Sequence, residues 1–139
     1  MKKRIYLILE VKSRELDSRL LFSILGTIKN YSTVICKKFY LISKLKYLRP
    51  GIVILKSMGS KNNKILIEAK KYGHKICLMD EEGLLFWNPE IYCRKRIDPK
   101  MIDLINYIFL WGKNDFKAIK KIYPNHEKKL KITGNPRID

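Results

Sequence analysis

The amino-acid sequence predicts an α/β fold, a Rossmann-like parallel sheet of five to six strands with helices on both faces. Three observations carry this. Short apolar runs alternate with stretches of helical spacing, the pattern of parallel strands joined by crossover helices. The runs are continuous rather than alternating in polarity, as strands covered on both faces require. Gly, Pro and Asn residues punctuate the joints between them.

The first strand is expected over 4–11. Met1-Lys2-Lys3-Arg4 and the apolar run after it have the charge order of a signal peptide, but the run is short. Glu10-Val11-Lys12 ends it without a small-residue cleavage site, so a strand is the better reading. Leu16, Leu20, Leu21, Ile24, Leu25 and Ile28 then form an apolar stripe at helical period, with Ser13 or Asp17 available as N-cap. A strand over 33–37 leads to a helix over 38–48, which Arg49-Pro50-Gly51 ends because proline cannot continue it and glycine permits the turn.

A strand over 51–56 precedes a helix over 60–72, closed by Gly73 as a left-handed cap. After a strand over 75–79, the segment 81–96 has no convincing period and reads as a loop with a short strand or helical turn. Asp98-Pro99 is expected to open a helix, with Asp as cap and Pro as first helical residue. Strands over 107–111 and 130–133 flank a last helix over 114–122, ended by Pro124.

Composition bounds the function. A 139-residue chain with 46% hydrophobic and 31% charged residues is one globular domain that buries roughly two thirds of its unfolded surface. Every apolar run is interrupted well short of the ~18 to 20 residues of a membrane span, so the chain reads as soluble or peripheral. Cys36, Cys77 and Cys93 are odd in number and widely spaced, which fits reduced cytosolic thiols. His74 and His126 are far apart and without paired cysteines; no metal, triad or cofactor is expected. The net charge of +17 attracts phosphate-rich partners: nucleic acid, an anionic membrane leaflet or a nucleotide-activated substrate. Scattered lysines from an AT-rich coding bias would produce the same balance.

In parallel sheets ligands bind at the carboxyl ends of the strands, which singles out two segments. Glu10-Val11-Lys12-Ser13-Arg14-Glu15-Leu16-Asp17 places carboxylates and cations where a helix begins. There Lys12 and Arg14 could hold an acidic group while Glu10 or Glu15 acts as base. The same residues could equally stabilise the helix dipole and pair with one another. Asp80-Glu81-Glu82-Gly83 follows the fourth strand; adjacent carboxylates repel, raising at least one pKa, and suit acid-base work or a hydroxyl-rich ligand. A solvated acidic turn is the alternative. Ser57-Met58-Gly59-Ser60 is a weak candidate for approach to phosphate or sugar, and Trp111-Gly112 could line the cleft.

These segments, with Arg19-Leu20 and the closing Thr133-Gly134-Asn135-Pro136-Arg137-Ile138-Asp139, resemble bacterial surface carbohydrate (polysaccharide) biosynthesis proteins. Those are similar in plan to GT-B glycosyltransferases, including Kdo transferases and CDP-glycerol glycerophosphotransferases. The likeness runs over the N-terminal half of such an enzyme. It implies an acceptor-binding domain, with a donor-binding domain expected beyond Asp139. It further implies Glu15 and Glu82 as catalytic carboxylates, and Glu10, Lys12, Arg14, Glu81 and Gly83 as substrate contacts. Gly134, Asn135 and Arg137 would form the interdomain hinge.

The implied partners are a sugar or lipid-linked saccharide acceptor, a nucleotide-sugar donor on the other domain, and an anionic membrane at the inner face of the cytoplasmic membrane. Alone, the chain would have little transferase activity. UDP-N-acetylglucosamine 2-epimerases carry a related closing segment, which keeps a sugar-nucleotide enzyme open as an alternative. A basic module for nucleic acid or anionic lipid comes last, because aromatics do not interleave with the cations.

Overall fold

The computed structural model describes residues 2–57, 59, 62–81 and 88–136. Six strands form one all-parallel sheet: β1 (Lys3–Ile8), β2 (Tyr31–Cys36), β3 (Ile52–Leu55), β4 (Lys75–Met79), β5 (Tyr107–Leu110) and β6 (Leu130–Ile132). The helices are α1 (Lys12–Ile28), α2 (Lys38–Lys44), α3 (Asn63–Lys71), α4 (Pro89–Arg96) and α5 (Lys113–Ile122). The α/β class and the covering of both sheet faces match the sequence reading.

The strand order β2-β1-β3-β4-β5-β6 explains how the helices are shared out. From β1 the chain steps one way to β2, then returns past β1 and advances in the opposite direction through β6. Right-handed crossovers therefore put α1 on one face and α2 to α5 on the other. The buried side chains divide accordingly. Tyr6, Val53, Leu55, Ile76 and Ile108 pack with Leu41, Ile65, Leu66, Cys93 and Ile119 from the four-helix layer. Ile5, Leu7, Ile54, Cys77 and Met79 meet Phe22 of α1 on the other face.

Two glycines set close approaches. At Gly51 an added Cβ would lie 2.6 Å from the Arg4 carbonyl oxygen, so the joint into β3 tolerates no side chain. At Gly26 it would lie 3.1 Å from Thr33 Oγ1, which lets α1 settle onto β2. Gly73 has φ +77°, the left-handed cap its position predicts.

Several local expectations are corrected. The apolar stripe of the first helix faces outward: Leu20, Leu21, Ile24, Leu25 and Ile28 are exposed, while Glu15, Ser18, Arg19 and Gly26 are buried against the sheet. The physical reason is that Glu15 and Arg19 are held inward by charge partners, and residues at positions 24 and 28 lie on the opposite side of a helix from 15, 19 and 26. Neither Ser13 nor Asp17 caps α1; Val11 holds the N-cap position without a side-chain bond.

The expected 38–48 helix is divided into α2 and a 3₁₀ turn over Leu45–Tyr47. Part of the irregular 81–96 segment is the regular helix α4, where the Asn88 side chain accepts from the Glu90 and Ile91 N–H groups and Pro89 follows in the first turn. Asp98-Pro99 instead makes a turn, Asp98 Oδ1 accepting from Lys100 N at 2.9 Å, ahead of a 3₁₀ turn over Ile102–Leu104. Ser60, Met58 and Trp87 lie outside the described residues.

Candidate functional site

The reversal of strand order lies between β1 and β3, and in open α/β sheets the crevice at the carboxyl end of such a switch point is where ligands bind. The residues leaving β1 and β3 meet there. Lys56, directly after β3, donates to Glu15 Oε1 at 2.6 Å and to Glu10 Oε2 at 2.9 Å, and its ammonium lies 3.8 Å from Glu81 Oε2. Arg14 donates to Glu15 Oε1 at 3.1 Å, and the Glu10 backbone N–H donates to Glu15 Oε2 at 2.9 Å. Arg19 donates Nε–H to the Ile8 carbonyl at 3.1 Å and pairs through Nη2 with Glu81. Three cations and three carboxylates thus close one network across α1, β1, β3 and β4.

Burial divides the network into a fixed interior and an accessible rim. Glu15, Arg19 and Glu81 are buried, Lys56 is mostly buried, and the Glu10 and Arg14 side chains are 47% and 39% exposed. Burial pushes the Glu15 carboxyl up, but the bonds from Lys56, the Glu10 N–H and Arg14 outweigh it and hold the pKa at about 2. Burial opposes the Lys56 charge as well; Glu15, Glu10 and Glu81 outweigh that and raise its pKa. Glu15 is therefore a permanent anion at neutral pH and a weak base. Its geometry suits holding Lys56 and Arg14 in place better than carrying a proton.

Beside the rim, a cleft of about 200 Å³ is lined by Glu10, Lys38, Lys56, Ser57 and Asn62 over a floor of Ile8 and Leu55. Lys38 donates to Asn62 Oδ1, and the Asn62 amide donates to the Ser57 carbonyl at 2.6 Å and hydroxyl at 2.8 Å. A carboxylate, two ammonium groups, an amide and a hydroxyl around one small hollow can orient a polyhydroxylated or phosphorylated group. Among the described residues no His, Cys, Asp and Glu side chains cluster as a metal ion would need.

Of the acidic segment after β4, Asp80 and Glu81 lie within the described residues. Asp80 and Glu81 do not confront each other: Glu81 turns to Arg19 and Lys56, while Asp80 Oδ2 accepts from Tyr92 Oη at 2.7 Å and Oδ1 lies 3.8 Å from Arg96. The Asp80 carbonyl accepts from Trp111 Nε1 at 2.6 Å and from Asn135 Nδ2 at 3.3 Å. Burial, then the charge and hydrogen bond of Asp80, push the Tyr92 hydroxyl far up, so it stays a donor.

The remaining expected residues fall as follows. Lys12 is exposed at the start of α1; Gly134 has φ +77°, and Asn135 is buried. Glu82, Gly83 and Arg137 lie outside the described residues. Lys56 was missed as a site residue although the strand-end rule points to it, and Arg19, noted only within a motif, is the cation that anchors Glu81. Among the described residues no helix is long and apolar enough to cross a membrane. Comparison with models of known families, with curated proteins and with solved structures returned no match for this chain.

Proposed function

We propose that this chain is the acceptor-side domain of a GT-B-like glycosyltransferase of cell-surface polysaccharide biosynthesis. The observation that carries the reading is the polar cleft at the β1/β3 switch point, lined by Glu10, Lys38, Lys56, Ser57 and Asn62. Transfer needs an acceptor hydroxyl oriented and relieved of its proton as the glycosidic bond forms. In this reading Glu10, the accessible carboxylate, accepts the hydroxyl hydrogen bond, and Lys38 and Lys56 offset a nearby phosphate. Glu15 is a positioning residue that fixes Lys56 and Arg14. Glu82 remains a candidate for the catalytic carboxylate from the resemblance, and the nucleotide-sugar donor belongs to a second domain.

The test is an amide-resolved NMR titration of this chain with monosaccharides, sugar phosphates and a short-chain lipid-linked saccharide. Shifts should concentrate at residues 8–10, 38 and 55–57 and shrink with Glu10→Gln and Lys56→Met. Absence of any response to all three ligand classes sinks the reading. A second reading, a basic surface for phosphate-rich polymers, is favoured by the exposed lysines of α2, α3 and α5, which share one side of the sheet; salt-sensitive binding that maps to those helices would select it.

A further inference from the structure

The two sheet faces are covered unequally. The face packed by α2 to α5 carries an outer layer of exposed lysines, among them Lys44, Lys64, Lys71, Lys117, Lys120 and Lys121. The other face has α1 as its one helix among the described residues. A parallel sheet is normally covered on both faces.

What the described residues leave exposed on this face is apolar. Ile24 and Ile28 form the outermost ridge of α1, 59% and 71% exposed, and between α1 and the sheet lies a hollow of about 400 Å³ walled by Leu21, Leu25, Met79 and Phe109. From Leu20 to Ile28 there is no charged residue, in a chain of net charge +17. Patches of this kind mark interaction sites.

We propose that this face binds a second copy of the chain, α1 against α1, in a two-fold antiparallel dimer. Two copies of so cationic a chain meet with least repulsion through the uncharged stretch from Leu20 to Ile28, and this pairing leaves both lysine layers pointing outward. Ridge and hollow sit side by side on one patch, as an isologous interface requires, so Ile24 and Ile28 of each copy enter the hollow of the other. The ends of the helix are complementary too. Asp17 is exposed near its start and Lys29 just past its end, and an antiparallel crossing near Ile24 brings Asp17 of one copy to Lys29 of the partner subunit. A lipid surface fits less well, because most of the cations that would hold an anionic bilayer lie across the sheet from α1. The inference is independent of the acceptor reading.

Sedimentation equilibrium of the full chain is the test. The expected mass is twice 16.5 kDa. Ile28→Glu, at an exposed position, should weaken the dimer at least ~100-fold by burying an unpaired carboxylate, with an unchanged circular-dichroism spectrum. Asp17→Lys should weaken it about tenfold, and adding Lys29→Asp should recover the loss. A wild-type chain that stays monomeric at millimolar concentration overturns the proposal, including the case in which it floats with phosphatidylglycerol vesicles instead. So does a dimer that Ile28→Glu leaves intact. Failure of the charge swap, with Ile28→Glu still dissociating the dimer, rejects the antiparallel arrangement.

Discussion

The β1/β3 half and the β4/β5 half of the sheet's carboxyl edge both place acidic residues directly after a strand, and they differ in what those acids face. At β1/β3, Glu10 and Glu15 meet the Lys56 ammonium and the Arg14 guanidinium, and a cleft opens beside them. At β4/β5, Asp80 is enclosed by Tyr92, Arg96, Trp111 and Asn135. The first arrangement leaves a half-exposed carboxylate facing solvent. The second uses a carboxylate to tie α4, β5 and the segment after β6 to β4. Equal sequence position, just past a strand end, thus yields a candidate binding rim in one place and a structural clamp in the other, because the neighbouring elements decide which partners are within reach.

The largest effect expected from breaking this contrast is at the link between the halves. Arg19→Ala removes the buried cation with which Glu81 pairs, and should cost roughly 3–5 kcal/mol in urea unfolding. A loss below about 1 kcal/mol would mean that the network is not a folding element.

Acid should act next, and through the β1/β3 half. The Glu15 pKa in the folded chain, about 2, lies below the reference of 4.5, so its contribution is complete above pH 4.5 and disappears as pH falls through about 2. The amount is on the order of 3 kcal/mol. Glu15→Gln should flatten the stability profile in that window; an unchanged slope would refute the assignment. His74 acts in the same direction at higher pH. Burial lowers its pKa below 6.5, the Leu45 carbonyl offsetting part of this, so protonation of the unfolded chain begins to draw it from the fold as pH drops past 6.5.

On the clamp side, Tyr92→Phe removes the donor to Asp80 and should cost about 1–3 kcal/mol, since it leaves a buried carboxylate short of a bond. Its thermal midpoint should fall while saccharide titrations at residues 8–10 stay unchanged. The smallest stability effect belongs to the rim. Glu10→Gln should alter unfolding by less than about 0.5 kcal/mol, because the Glu10 side of its pair with Lys56 is half exposed, yet it should be among the most damaging substitutions to ligand binding. A Glu10→Gln chain that binds normally would move the site away from this cleft.

Strand placement was legible because the apolar runs are continuous and bounded by turn residues; 75–79 agrees at both ends with β4, and the other five differ by a few residues. Helix α4 was hidden for a different reason. Its signal is the Asn88-Pro89 start rather than an apolar period, since its residues are mostly polar and its packing rests on Tyr92 and Cys93. The orientation of α1 could not be read from its own residues at all. Local periodicity names the Leu and Ile stripe as the buried one, whereas the buried side is chosen by Lys56 and Glu81, which come from distant parts of the chain. The candidate site shares this history: Glu10, Arg14, Glu15 and Glu81 were each nameable from strand ends, but their convergence on Lys56 and Arg19 was not.

By itself, then, the sequence determined the α/β class, the order of the strands and the edge at which polar residues collect, because hydrophobic period and turn chemistry are local properties. The tertiary structure decided which acids face cations, which side of α1 is buried and where the cleft opens. Those outcomes depend on charges brought within a few ångströms by strand order, and no stretch of chain carries that information alone.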